Sequence, residues 1–285
     1  MLGVAVLLVL GSGFIHSVWN LYAKRSRNKN VFLWFCQLTA IVLFLPWTIM
    51  ELDAVRWSGE AALWLTASMA LHGLYVVLLA AVYAVGDLSQ VYPIMRGTSP
   101  LLVPLAGVFA LGESLTPYGW GGVALIVCGI ALLSEIRLGR DGSGSWRAPL
   151  LALAVGVCIA GYIVVDKLAL EHVPAVVLNE ASNVGNALAL SAAAFRSRGM
   201  REEWRANGKT IVLGGVLAPA GYLLFLYALS IAPVAQLAPM REIGTVFGAV
   251  LGVRILREKH GKRRIVTSLL ITAGVIVLGV WGSPG

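Results

Sequence analysis

The chain has 285 residues, of which 58% are hydrophobic and 13% charged, with a formal net charge of +8, a pI near 9.7 and a mean hydropathy of +0.82. A soluble domain carries about 25% charged residues; half that share, with polar stretches no longer than Ser134–Arg147 and Arg196–Lys209, excludes a sizeable soluble domain. The basic excess sits between apolar runs, where it orients a protein in a membrane rather than gripping nucleic acid.

A transmembrane helix needs about 20 mainly apolar residues. Ten such spans are predicted: Val4–Ala23, Val31–Met50, Ala61–Ala84, Ser89–Leu111, Pro117–Ser134, Pro149–Leu170, Ala175–Phe195, Ile211–Ile231, Val234–Leu256 and Ile265–Trp281. Ionisable groups inside such spans cost about 2.5–3.5 kcal/mol each on insertion scales, so they are expected to face a cavity or a partner.

On the first span His16 and Asn20 share a face, with Trp19 beside them. Gln37 on the second span, and His72 and Tyr75 on the third, are further polar positions. On the fourth, Tyr92, Arg96 and Ser99 fall at i, i+4 and i+7 and so line up. Pro93, Pro100 and Pro104 are expected to loosen that helix. Arg96 is a candidate ligand for an anionic group. Asp166 and Lys167, near the end of the sixth span, are expected to form an interfacial pair.

On the seventh span Asn179, Asn183 and Asn186 form another i, i+4, i+7 stripe with Glu180 beside it. Glu180 is the candidate proton-coupling carboxylate. Tyr222 on the eighth span is a candidate aromatic wall, and Arg241 and Glu242 on the ninth complete the predicted substrate-binding set. Glu113 and Glu258, at span ends, are expected to make boundary contacts. Cys36, Cys128 and Cys158 lie inside apolar runs with no metal spacing, and no metal or cofactor is expected.

Lysine and arginine crowd the loops after odd-numbered spans, while the even-numbered loops carry essentially Arg56 alone. The positive-inside rule therefore predicts cytoplasmic odd-numbered loops and both termini outside, with the protein in the inner membrane. The first span lacks a basic n-region and a cleavage-like end, and reads as a retained helix.

The chain repeats at an offset of 146 residues: Gln90 meets Gln236, Pro93 meets Pro239, His16 meets Tyr162, Asn20 meets Asp166 and Gln37 meets Asn183. The offset then slips to 145, where Glu113 meets Glu258 and Gly129 meets Gly274. Residues 1–146 and 147–285 are thus two five-helix repeats, and an odd span count inserts the second upside down. The predicted fold class is all-α integral membrane, ten transmembrane helices in two inverted repeats, with the substrate site near the midplane between the halves. The same register sets Arg96 against Glu242, and predicts that the two charges pair.

The segments PIMRGTSPLLVPLAGVFALGESLTPYGWGGVALIVCGIALL (Pro93–Leu133) and FIHSVWNLYAKRS (Phe14–Ser26) resemble the drug/metabolite transporter superfamily, specifically its ten-helix EamA-type members. The second half departs from the pattern: its arginine, Arg241, is shifted by one, and no glycine precedes Glu258. The resemblance implies two five-helix halves around a central cavity, no cofactor, and substrates ranging from amino acids to amines, sugars and drugs.

No HExxH or GxSxG motif supports an intramembrane enzyme, and two dissimilar halves suit a carrier better than a channel. The expected function is alternating-access transport of a small polar or zwitterionic metabolite, such as an amino acid or aminophosphonate. Protons are a possible coupling partner, and the protein is expected as a monomer or homodimer in the lipid bilayer. Export of hydrophobic or cationic amines is the alternative carrier reading, and a non-transporting scaffold subunit the alternative from another class.

Overall fold

Backbone amides and carbonyls find no partners in hydrocarbon, so a lipid-embedded chain must satisfy them within helices. In the computed structural model, residues 1–23, 26, 28–85, 88–133, 146–197, 199–256 and 262–283 are described; side chains 20–23, 83–85, 88–93, 133, 252–256 and 262–264 are outside that description. These residues form α-helices and one short 3₁₀ turn, and no strand among them. The helices are α1 (Leu2–Ala23), α2 (Lys29–Glu51), α3 (Gly59–Val85), α4 (Leu88–Ala110), α5 (Pro117–Leu133), α6 (Arg147–Ala169), α7 (Ala175–Arg196), α8 (Met200–Ile231), α9 (Val234–Met240), α10 (Ile243–Leu256) and α11 (Lys262–Trp281). Five of them are long and apolar enough to cross a membrane in full, and shorter apolar helices accompany them.

The predicted repeat is written into the helix boundaries. The last residues of α1 and α6 are Ala23 and Ala169, the first residues of α2 and α7 are Lys29 and Ala175, and the first residues of α4 and α9 are Leu88 and Val234. Each pair is 146 residues apart. The ninth predicted span differs from its counterpart, for it is broken into α9 and α10 at Arg241–Glu242. The prolines of the fourth span do not break it: α4 runs without interruption. In the ninth span Pro239 ends the regular ladder, and i→i+3 bonds close the turn, with Glu242 N donating to the Pro239 carbonyl at 3.1 Å and Gly244 N to the Arg241 carbonyl at 3.1 Å.

The eighth helix also departs from expectation. The polar stretch before Ile211 is not a loop; residues from Met200 on are the first turns of α8. Glu203 fixes that extension. Buried on α8, its carboxylate accepts from Asn28 N at 2.8 Å and from Asn207 Nδ2 at 2.7 Å.

The chain divides into two compact units, Met1–Val76 with Val165–Ala232, and Val77–Val164 with Pro233–Gly285. In the first, α1 packs on α8, and α2 on α7 and α8. Small residues set these crossings, as van der Waals packing demands where lipid and side chain are equally apolar. A Cβ on Gly185 of α7 would meet the Met69 carbonyl of α3 at 2.4 Å, and one on Gly73 of α3 would meet the Gly185 carbonyl at 3.1 Å. In the second unit, α5 lies along α11 and α4 against α9 and α5. The close approach there is Gly122 to Gly274, where a Cβ on either would come within 2.9 Å of the other's carbonyl.

Gly112 ends α4 with φ 67°, a left-handed conformation natural to glycine. The turn closes with Glu113 N donating to the Gly107 carbonyl at 2.9 Å. It aims the Glu113 carboxylate at the start of α9, where Oε1 accepts from Val234 N and Oε2 from Ala235 N, both at 2.8 Å. Glu113 is thus a boundary contact, as its place in the sequence predicts. Two orphan helix N–H groups gain a charged acceptor, and the helix dipole favours the anion. Glu258 lies outside the described residues.

Candidate functional site

The first unit holds a seam of buried polar side chains. On α7, Asn179, Glu180 and Asn183 are all less than a tenth exposed. Asn183 Nδ2 donates to Glu180 Oε2 at 3.2 Å. Asn179 Nδ2, Glu180 Oε1, Asn186 Oδ1 and, on α2, Gln37 Oε1 are buried with no hydrogen-bond partner among the described residues. A buried amide or carboxylate atom without a partner costs about 1–3 kcal/mol. Four of them lie in one unit, three on α7 with Asn179 and Glu180 on one turn and Asn186 two turns on, and buried polar atoms of this kind call for a polar guest or water.

Asp166 of α6 anchors the second part of the seam. It is fully buried. Its Oδ1 accepts from Ser68 Oγ of α3 at 2.5 Å, His72 Nε2 of α3 lies 3.1 Å from Oδ2, and the Tyr222 hydroxyl of α8 donates to the same oxygen. The His72 and Tyr222 rings meet edge to face with centroids 5.2 Å apart. This corrects the reading of Asp166 and Lys167 as an interfacial pair. Neighbours on a helix point about 100° apart. Asp166 turns to α3 and α8, and Lys167 donates to the Leu229 carbonyl at 2.6 Å and the Ala232 carbonyl at 3.0 Å, at the end of α8, where a cation suits the helix dipole. The α3–α7 crossing at Gly73 and Gly185 lies beside His72 on one helix and between Asn183 and Asn186 on the other.

Other predicted residues of this unit stand elsewhere. Trp19 stacks on Phe32 with centroids 5.7 Å apart, in an apolar cluster with Cys36 and Ile211. It lies over Gly214, where a Cβ would come within 2.1 Å of the indole. It is packing, and the unusual Gly214–Gly215 pair is the sequence signal for it. His16 and Tyr75 are half-buried on α1 and α3. Asn20 and Tyr92 lie outside the described side chains. An open groove of about 700 Å³ between α2 and α8, lined by Phe35, Leu38, Thr39, Trp204 and Val212, contains none of the predicted residues. Its apolar walls suit acyl chains, not a polar solute.

In the second unit, Arg96 of α4 and Glu242 at the α9–α10 break form an ion pair, Nη1 to Oε1, at 3.5 Å, as the repeat register predicts. Glu242 precedes the first residue of α10 and so faces that helix's positive end. Thr245 Oγ1 donates to its carbonyl at 2.7 Å. Its Oε2 has no hydrogen-bond partner among the described residues. Arg241 caps α9 and is half-buried. Gln236, fully buried on α9, donates Nε2 to the Leu278 carbonyl at 2.5 Å. Among the described residues no group of three or more histidine, cysteine or acidic side chains could hold a metal ion.

A crystal structure of another protein superposes on this chain with a TM-score of 0.77 at 18% identity, covering 96% of this chain and 95% of that one, which establishes the fold. A Listeria monocytogenes protein named "Putative sugar uptake protein" is 25% identical over 204 residues, 67% of this chain and 69% of its own length. A Listeria innocua protein of the same name is 24% identical over the same shares. The EamA-like transporter family profile matches twice, over residues 3–135 and 146–280. The chain therefore belongs to the EamA-like transporter family and is a multi-pass membrane transporter.

Proposed function

We propose that this protein is a secondary transporter of a small, neutral, polyhydroxylated solute, working by alternating access of its two sequence halves. The observation that carries the reading is the α7 stripe, where Asn179, Glu180 and Asn186 keep buried polar atoms unpartnered among the described residues. The amides supply donors and acceptors and the carboxylate supplies acceptors, which is what a ring of hydroxyls asks for. The names of the Listeria relatives point the same way.

The zwitterion reading, an amino acid or aminophosphonate, leans on a cation to meet the anionic end. Arg96 and Arg241 are the candidate cations for that task; Arg96 is paired with Glu242, and Arg241 caps α9. That pairing favours the neutral solute. His72, Tyr75, Tyr222 and His16 are proposed as further lining, and Arg96, Arg241 and Glu242 as a charge clamp at the broken helix. The lysine and arginine bias supports cytoplasmic odd-numbered loops in an inner membrane.

Thermal unfolding of the purified protein separates these readings. A ligand at 100 times its Kd stabilises by about 2.7 kcal/mol. Pentoses or hexoses at millimolar concentration are expected to raise the Tm, and amino acids, alkylphosphonates and organic amines to leave it unchanged. A rise with glycine or aminomethylphosphonate alone would return the assignment to the zwitterion; a rise with hydrophobic amines alone would favour a drug exporter.

A further inference from the structure

We propose that the Asp166–His72 pair, with Ser68 and Tyr222, is the site where this transporter takes up a driving proton. The inference rests on the transport reading above and adds its energy source; it moves the proton from Glu180, the carboxylate that the sequence singles out, to Asp166.

A carboxylate fully buried in a bundle is tolerated when donors surround it. Asp166 has three, one from Ser68, one from Tyr222 and the His72 ring nitrogen at 3.1 Å. Two are hydroxyls, which donate whichever way the proton moves. The third is the His72 imidazole, whose ring nitrogen donates or accepts according to where its proton sits. The arrangement therefore has two states. Without the extra proton, an aspartate faces a neutral histidine and the pair is net negative. With it, the pair is neutral overall, as a carboxylic acid beside imidazole or a carboxylate beside imidazolium. The proton bonds to Oδ2 of Asp166 or Nε2 of His72, and it leaves to water on the opposite side. No other bond changes.

Moving a net negative pair through a low-dielectric bundle costs several kcal/mol more than moving a neutral one. A conformational step that shifts α6 against α3 and α8 is therefore easier after protonation. The three donors come from those two helices, so the proton's site is also the joint between them. Asp166 stands three residues before the end of α6, at the end that the charge bias assigns to the outer side, where an uptake proton enters.

Among the described residues of this unit, Lys167, Glu180, Glu203 and the Glu60–His172 pair have partners of their own. On α6 itself, Lys167 turns its ammonium onto the α8 carbonyls. On α7, Glu180 accepts from Asn183. On α8, Glu203 holds Asn28 and Asn207. Glu60 of α3 and His172 pair at 3.6 Å, with the glutamate exposed. His16 is half-buried on α1.

The test uses the full chain in proteoliposomes with two readouts, counterflow of labelled D-glucose or D-ribose, which needs no net proton, and accumulation driven by an inward pH gradient, with internal pyranine reporting protons. Wild type is expected to do both, with acidification that depends on the sugar. Asp166→Asn keeps the shape of the hub and should retain counterflow within about threefold, while gradient-driven accumulation falls to that of empty liposomes. Ser68→Ala is the second variant, should Asp166→Asn not fold: it removes one donor from Asp166, and it is expected to shift the pH dependence of gradient-driven accumulation while counterflow stays within about threefold, an unchanged pH dependence counting against the site. Wild-type counterflow with no sugar-dependent acidification in the gradient assay, or gradient-driven accumulation surviving in Asp166→Asn, would overturn the proton site and leave the transport reading standing. Wild type with neither activity would remove the transport reading and this inference with it.

Discussion

Arg96 on α4 and Glu242 at the α9–α10 break stand 3.5 Å apart, and 146 residues separate their positions. A repeat that places a cation in one half and an anion at the equivalent place in the other lets a charge pair form from pseudo-symmetric sites. Glu242 is the more deeply buried partner, its side chain 9% exposed against 27% for Arg96.

Removing Arg96 leaves the buried Glu242 carboxylate with Arg241 alone to offset its charge, at about 3 kcal/mol for a pair with one partner partly exposed. Arg96→Ala is therefore expected to lower the melting temperature of the purified protein more than Glu242→Gln does. The exchanged double variant, Arg96→Glu with Glu242→Arg, should recover most of the loss. A double variant no more stable than the worse single would count against the pair as a structural element.

Glu113 tethers the end of α4 to the start of α9 through two charged hydrogen bonds. Each such bond contributes about 1.5–3 kcal/mol. Glu113→Ala should destabilise the protein by about 2–4 kcal/mol, and Glu113→Gln by less, because one amide oxygen can still accept. Equal melting temperatures for wild type and Glu113→Ala would show that the tether carries no weight.

The α3–α7 crossing predicts an asymmetry between glycines. At Gly185 a methyl group would overlap the Met69 carbonyl, whereas at Gly3 nothing lies within 4 Å. Overpacking costs about 1–3 kcal/mol, so Gly185→Ala should melt lower by several degrees while Gly3→Ala melts like wild type. Paired thermal scans decide it.

Asn183 donates to Glu180 and sits in the stripe assigned to the solute. Asn183→Ala should raise the KM for a sugar about tenfold, the equivalent of about 1.4 kcal/mol, and lower the melting temperature, because Glu180 Oε2 loses its donor. A lower kcat at unchanged KM would move Asn183 from solute binding to the conformational step.

Much of this was readable from residue order, and the failures have physical causes. The helices, the repeat and the Arg96–Glu242 pairing followed from hydropathy and a constant offset. The α8 extension did not, because the hydropathy of a span drops where a helix leaves the bilayer although the helix continues into water. The break after Pro239 was obscured because three prolines in the equivalent helix do not break it. Asp166 looked like the partner of Lys167 because they adjoin in sequence, yet side chains at i and i+1 do not face each other. Trp19 looked like a binding aromatic, and only Gly214, more than 190 positions away, reveals the slot it fills.

The amide and carboxylate stripe of α7 is most directly probed by exchange of labelled D-ribose or D-glucose across proteoliposomes, comparing wild type, Asn179→Ala/Asn183→Ala and protein-free vesicles. Saturable exchange in wild type, reduced at least tenfold in the double variant at equal folded protein, is the predicted result. Exchange of equal rate and affinity in both proteins, or none in wild type for either sugar, would contradict the assignment.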